Sequence, residues 1–318
     1  AARVLPEPVG ATTSALSPAE IADHAFSCTG VGAAKTSPNQ VATWGRKRAR
    51  MLSAMPNSNP RGKVDGMTAQ LDDARLTHLL AQGTGEILKG VRNVGALRGR
   101  NLGDAGDELA QNWIARVLGQ HRPDDGFLSE EMADTLERLD KDRVWIIDPL
   151  DGTKEFATGR QDWAVHIALV EKGIPTHAAV ALPDLGVVFS SAESRAVKGP
   201  YAKKLAISHN RPPQVALHIA EKLGFETAAI GSAGAKAMHV LLGDYDAYIH
   251  AGGQYEWDSA APVGVAKAAG LHCSRLDGTE LTYNNRDTYM PDILICRPEL
   301  AEEILSMAAA FREEHGGY

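Results

Sequence analysis

The segment Val144-Trp145-Ile146-Ile147-Asp148-Pro149-Leu150-Asp151-Gly152-Thr153-Lys154-Glu155-Phe156 constrains this chain more than any other stretch. An apolar run of strand length ends in a carboxylate, a proline stops the ladder, and a second carboxylate follows three residues on. Asp148 and Asp151 can then converge on one point at the strand's end, as the ligands of a hard cation do. Gly152 and Thr153 stand where a short helix would begin, so their N–H groups are free to meet a phosphate oxygen. One turn thus brings metal and phosphate together. The plainer reading is an Asp-Pro/Asp-Gly turn with two capping aspartates, and Asp-x-x-Asp alone would favour it. Leu276-Asp277-Gly278-Thr279 is the control: it repeats Leu150–Thr153 without the upstream strand or the Asp-Pro, and reads as a loop turn.

The metal reading gains weight from further acids. Phe127-Leu128-Ser129-Glu130-Glu131 sets adjacent carboxylates after a short apolar run, and Gly103-Asp104-Ala105-Gly106-Asp107 offers another ahead of a helix. Tyr255-Glu256-Trp257-Asp258-Ser259-Ala260-Ala261 puts an acid at a helix start, where a simple cap would serve equally. Singly, each is a cap or a solvated residue. Together they are the set that a magnesium site of two or three ions requires. Carboxylates about 5 Å apart repel by about 3 kcal/mol per pair at an effective dielectric of about 20, so the cluster calls for cations.

Around these motifs the chain divides. Residues 1–66 hold 8 Lys/Arg and 4 Asp/Glu, leaving 25 against 36 for residues 67–318 out of 33 and 40 overall. The first segment is rich in Ala, Ser, Thr and Pro, lacks sustained periodicity and carries a basic knot at Arg46-Lys47-Arg48-Ala49-Arg50. Such a composition buries too little apolar surface to offset its ordering entropy, so a disordered extension is expected. Its few acids also fit an organelle transit peptide, and the knot fits an anionic-surface patch. Met67-Thr68-Ala69-Gln70 resembles a natural chain start, which would make residues 1–66 dispensable.

From Asp72 onward the pattern is regular. Leu76, Leu79, Leu80, Gly83, Ile87 and Val91 predict an amphipathic helix to about Arg92. A second helix is expected over 108–121, with Leu109, Trp113, Val117 and Leu118 on its apolar side. Strands are expected at 144–147, 164–170, 176–182 and 187–190, punctuated by Gly and Pro. Helices and strands then alternate: helices 213–223, 233–242 and 259–269, strands 227–230, 247–250 and 293–296, and a helix from Glu299. This implies a layered α/β (α+β) architecture, with one half over 67–193 holding the main acidic motifs and another over 194–318 holding Asp258. His166 reads as a satisfied core histidine, and Trp145, Trp163 and Trp257 as core packing.

Composition narrows the function classes. A formal charge of −7 speaks against a general nucleic-acid binder. No apolar run approaches the length of a bilayer span. Cys28, Cys273 and Cys296 form no Cys-x-x-Cys pair, so neither a disulfide framework nor a cysteine-rich zinc site is supported, and a cytoplasmic setting is expected.

The blocks 128–131, 145–156 and 256–261, in that order and spacing, resemble the inositol monophosphatase superfamily of Mg²⁺-dependent, lithium-sensitive phosphatases. Within it, Asp148–Phe156 and Ile230-Gly231-Ser232-Ala233-Gly234-Ala235-Lys236-Ala237 look most like the CysQ-type 3′-phosphoadenosine 5′-phosphate (PAP) phosphatases. The resemblance runs from about Leu71 to the C-terminus. It implies an α/β/α/β/α sandwich, two or three Mg²⁺ ions and inhibition by Li⁺. Glu130, Asp148, Asp151, Asp258 and the Leu150 carbonyl match the family's metal ligands. Thr153 and Asp107 match the pair that orients and deprotonates the attacking water, Glu130 completes the catalytic set, and Glu131 stands behind it. The family's Thr-Ala-x-Asp is Asp104-Ala105-Gly106-Asp107 here, so Asp104 competes with Asp107; the helix expected directly after Asp107 favours the latter. Gly152 and Thr153 would hold phosphate oxygens, while Ser232 and Lys236, four apart at a helix start, would grip a second phosphate or a ribose. His250 and Tyr255 would contact a base.

The implied activity is hydrolysis of the 3′-phosphate of PAP to AMP, with PAPS as an additional substrate, in sulfate assimilation. Inositol-1-phosphate and fructose-1,6-bisphosphate are alternative substrates for the same site, and a non-catalytic nucleotide or sugar-phosphate sensor is the alternative from another class. Related enzymes occur as monomers and homodimers.

Overall fold

A computed structural model describes residues 71–318 apart from Val197. The expectations for residues 1–66, including the Met67 start and the basic knot, lie outside the described residues. Helix α1 (Asp73–Val94) is opened by Asp72, whose Oδ1 accepts the Arg75 N–H at 2.7 Å, and closed by Gly95 at φ +71°. Leu76, Leu80, Ala81 and Leu88 form its buried side.

Helix α2 (Arg100–His121) corrects the expectation for its start and its face. It begins at Arg100, not Glu108, because Gly103 and Gly106 are packing notches rather than breakers. A Cβ on Gly103 would stand 2.8 Å from Thr153 Cγ2, and one on Gly106 3.0 Å from Phe156 Cε1. The buried side is Leu102, Ala110, Ile114 and Leu118, whereas Leu109 and Trp113 are 46% and 40% exposed.

The first sheet runs β1 (Gly126–Ser129), β2 (Arg143–Asp151), β3 (Ala164–Glu171), β4 (Ile174–Leu182) and β5 (Val187–Ser190) in that order, with a short helix α3 (Thr153–Ala157) after β2. The β1–β2 pair is parallel and the others antiparallel. β3 is buried along nearly its whole length, which is why it reads as a continuous apolar run: both faces are covered. Trp145, Ile147, Val165, Ile167 and Leu169 face α1 and α2. The opposite face meets α6 (Glu256–Ala268), where a Cβ on Gly264 would lie 2.7 Å from that of Ala178.

The second sheet has the order β7 (Glu226–Ile230), β6 (Lys204–Ser208), β8 (Ala247–Tyr255), β10 (Tyr289–Cys296) and β9 (His272–Ser274). β6 is parallel to β7 and β8, and β10 is antiparallel to β8 and β9. Leu205, Ile207, Ile249 and Leu294 pack under α4 (Gln214–Leu223) and α7 (Ala301–His315). Its other face receives α5 (Ala233–Leu241), whose Lys236 lies over the Tyr248 ring, and α6. The layers are therefore α1/α2, sheet, α5/α6, sheet, α4/α7: the expected sandwich. Leu276–Thr279 is a turn, with Asp277 Oδ1 accepting from the Thr279 amide and hydroxyl. Among the described residues no helix is long and apolar enough to cross a membrane.

Candidate active site

The site forms where the end of β2 meets the first turns of α5 and α6. The β2–β3 register shifts between Asp148 and Asp151, a bulge that turns both carboxylates toward the same side. Oxygens of Asp148, Asp151 and Asp258 lie within 4.8 Å of one another. Asp148 is buried and its Oδ1 accepts the Leu150 N–H at 3.0 Å. Asp258, in the first turn of α6, accepts the Tyr255 N–H at 2.7 Å, so it caps the helix and faces the other acids at once.

Asp151 is held differently. Its Oδ2 accepts from the Ser232 hydroxyl and from the Gly234 N–H at 2.8 Å, and His166 Nε2 stands 3.1 Å away, close enough for charge attraction though bent from a straight hydrogen bond. Burial raises its pKa, but His166, Lys236 and Ser232 outweigh burial and bring it down to about 2. Burial and the charges of Glu130, Asp151 and Asp258 push Asp148 well above the carboxylate range. Asp258 rises to about 6 through burial and Asp151. Glu130, in the turn after β1, keeps solvent access at the mouth of the site, yet burial of its carboxyl and the charges of Asp258 and Asp151 raise it to about 8. One carboxylate ionised in place among acids that resist ionisation is a donor set that a cation would stabilise. All-oxygen, multiply anionic donors suit a hard divalent ion.

Thr153 starts α3 behind Gly152, which adopts φ +89° against Trp163. The Thr153 hydroxyl lies 3.1 Å from the Leu150 carbonyl oxygen and 3.4 Å from Asp107 Oδ1. Asp107 projects from within α2, two turns after its start, rather than from ahead of a helix, because the helix already begins at Arg100. Geometry nonetheless separates the two acids: Asp104 is 63% exposed and pairs with Arg100, while only Asp107 reaches Thr153. Burial and the nearby Glu131 raise Asp107 to about 7. Glu131 is itself exposed.

The residues expected to touch substrate are turned inward. Ser232 is fully buried as the N-cap of α5, and its hydroxyl serves Asp151 and the Ala235 N–H. Lys236 is 2% exposed, with Nζ donating to the Gly231 carbonyl at 2.8 Å and to that of Ile230 at 3.3 Å; burial lowers it to about 8. His250 is buried with Nε2 2.8 Å from the Gly252 carbonyl, and burial lowers it to about 4. The motif that looked like a grip is thus an internal brace for Asp151.

His166, expected as a satisfied core histidine, is fully buried and also borders the acid cluster: Nδ1 lies 3.1 Å from the Trp257 carbonyl and Nε2 3.1 Å from Asp151 Oδ2. Its signal, a polar residue opposite Asp148 in the β2–β3 register, exists only once the strands are paired. Asp162 was also missed; it accepts the Gly231 N–H at 2.8 Å and orients the Gly231-Ser232 turn. Trp145 and Trp163 are core, but Trp257 is partly exposed and stacks on Tyr255 with centroids 4.9 Å apart.

The sequence matches the Inositol monophosphatase family over residues 78–313, and the chain belongs to that family. It is 51% identical over 255 residues to a 3′-phosphoadenosine 5′-phosphate phosphatase of Mycobacterium leprae, covering 75% of this chain and 94% of that protein. It is 34% identical over 200 residues to the 3′(2′),5′-bisphosphate nucleotidase CysQ of Escherichia coli K12, covering 58% of this chain and 81% of the relative. Among solved structures, an inositol monophosphatase from Anabaena shares the fold with a TM-score of 0.61 at 20% identity, over 74% of this chain and 95% of that one.

Proposed function

We propose that this chain is a Mg²⁺-dependent phosphomonoesterase that removes the 3′-phosphate of PAP to give AMP, with PAPS as a further substrate, and that Li⁺ inhibits it. The convergence of Asp148, Asp151 and Asp258 within 4.8 Å carries the reading, and the identity to PAP phosphatases directs the choice of substrate. Glu130, Asp148, Asp151, Asp258 and the Leu150 carbonyl would hold two or three Mg²⁺ ions. When bound, these ions supply charge neutralisation of the phosphate and a more acidic water. Asp107 accepts the proton of the attacking water, directly or through the Thr153 hydroxyl that it faces; a pKa raised to about 7 suits a base working near neutrality. Water oxygen bonds to phosphorus, the bond from phosphorus to the ribose 3′-oxygen breaks, that oxygen takes a proton from a solvent water to leave as the alcohol of AMP, and Asp107 returns its proton to solvent. The Gly152 and Thr153 amides hold non-bridging oxygens, and Glu131 tunes Asp107 through its charge.

A non-catalytic sensor would have no use for the Thr153–Asp107 pair. The deciding experiment is phosphate release from PAP, PAPS, inositol-1-phosphate and fructose-1,6-bisphosphate, with Mg²⁺ and with or without Li⁺. PAP should rank among the best substrates. Preference for inositol-1-phosphate or fructose-1,6-bisphosphate would reject the substrate assignment, and no release from any of the four would reject the enzyme.

A further inference from the structure

Beside the acid cluster lies an aromatic surface that the chemistry above leaves unused. Tyr255 immediately precedes α6, and its backbone N–H is bonded to Asp258 at 2.7 Å. Its ring stacks on Trp257 at 4.9 Å and 12°, and meets Tyr289 edge-on at 6.0 Å. Tyr255 and Tyr289 are 44% and 43% exposed, directly paired across β8 and β10. Exposed aromatics are ordinary one at a time; here three rings are in contact as a ladder, and the backbone of the central one bonds an acid of the cluster.

The ladder is tied to a cation. The Tyr289 hydroxyl accepts the Gly253 N–H at 3.1 Å, and Gly253, at φ +81°, leaves room for Arg211, since a Cβ there would lie 2.9 Å from a guanidinium nitrogen. Arg211 is exposed and, among the described residues, forms no ion pair. In the same strand, buried His250 leaves Nδ1 without a partner while Nε2 faces the Gly252 carbonyl.

We propose that Tyr255, Tyr289 and Arg211 form the nucleoside subsite of this enzyme: the tyrosines receive the purine base and Arg211 the 5′-phosphate, while the 3′-phosphate lies at the acid cluster. This rests on the reading of the chain as a PAP phosphatase. The substrate carries a flat π-face and a second dianion, each one ribose away from the scissile phosphate. A stacked aromatic ladder and an unpaired guanidinium are the groups that recognise those features. The cluster and the amides of Gly152 and Thr153 recognise any phosphomonoester, so selection for a nucleotide must come from outside them. Gly253 thus meets both groups, its N–H bonding the Tyr289 hydroxyl and its bare Cα leaving space for the Arg211 guanidinium.

The test is steady-state kinetics of the full chain with Mg²⁺ on PAP and on adenosine 3′-monophosphate. Tyr255→Ala and Tyr289→Ala should each raise KM for both nucleotides by about 5- to 150-fold with little change in kcat, since stacking is uniform binding remote from the reacting bond. Tyr255→Phe should restore KM. Arg211→Ala should raise KM for PAP but leave that for adenosine 3′-monophosphate, which has no 5′-phosphate. Unchanged KM for PAP in both tyrosine variants, or a fall in kcat at unchanged KM, would overturn the subsite; an equal Arg211→Ala effect on both nucleotides would overturn the assignment of Arg211. If the unaltered protein releases no phosphate from PAP, it is the phosphatase reading that fails. Tyr289 lies on the opposite strand from the Asp258 cap, so its variant separates loss of stacking from disturbance of that cap.

Discussion

Gly234 stands in the first turn of α5, where an isolated helix would prefer alanine by about 1 kcal/mol. The tertiary structure reverses that sign. A Cβ on Gly234 would lie 2.1 Å from His166 Nε2 and 3.1 Å from the Ala164 Cβ, whereas carbon atoms pack best about 3.5–4.0 Å apart. The ring has no retreat, because His166 is fully buried and its Nδ1 is anchored at 3.1 Å to the Trp257 carbonyl. Over-filling such a site costs about 1–3 kcal/mol, more than the helix gains. The Gly234 N–H also bonds Asp151, so the displacement is passed to that carboxylate. Gly234→Ala should therefore lower Tm, by about 2–4 °C for each kcal/mol lost in a domain of this size, and weaken Mg²⁺ binding about 10- to 100-fold. Gly90→Ala is the control, since a Cβ there meets nothing within 4 Å in the same kind of helix; it should stabilise by about 0.5–1 kcal/mol and leave Mg²⁺ binding alone. Differential scanning calorimetry and calorimetric Mg²⁺ titration read both quantities. A Gly234→Ala protein as stable as its parent and with equal Mg²⁺ affinity would refute the claim that this glycine exists to admit His166 against Asp151.

Other outcomes follow from the same geometry. Asp151→Asn should abolish turnover and metal binding while leaving the far-UV circular dichroism unchanged; near-normal phosphate release would remove Asp151 from the site. Asp107→Asn should reduce kcat by about 10²- to 10⁴-fold with little change in KM, read from initial rates, because a lost proton acceptor acts on the reacting step. In chelator-treated protein, Asp148, Asp258 and Glu130 have pKa values above those of unfolded carboxylates, with Asp258 at about 6 and Glu130 at about 8. At these sites the folded state then binds more protons, so their contribution to stability falls as pH rises through those values; Asp107, raised to about 7, adds to the fall, while His250, lowered to about 4, acts in the opposite sense between about pH 4 and 6.5. Asp151, lowered to about 2, contributes the opposite trend only below that window. Saturating Mg²⁺ should lessen the fall between pH 6.5 and pH 8, above the range where His250 titrates; a metal-free Tm that rises over this range would contradict the proximity of these acids.

The local sequence determined a good deal. β2 with its paired aspartates, the continuous apolar β3 and the family membership were all legible, because periodicity and turn chemistry are properties of neighbouring residues. The decoy at Leu276–Thr279 was legible for the same reason: it lacks the strand before it. Where the reading failed, contact between distant segments decided the matter. Gly103 and Gly106 look like breakers along the chain, yet inside α2 they make room for Thr153 and Phe156. Ser232 and Lys236 look like an exposed grip at a helix start, yet packing between the sheets buries them, and Ser232 bonds a carboxylate 81 residues earlier. His166 looks like core and is core, but strand pairing sets it against Asp151. The sequence by itself determined which acids are available and which elements carry them. Only the tertiary structure decided which of those acids meet and what braces them, because burial and charge depend on neighbours that no local spacing encodes.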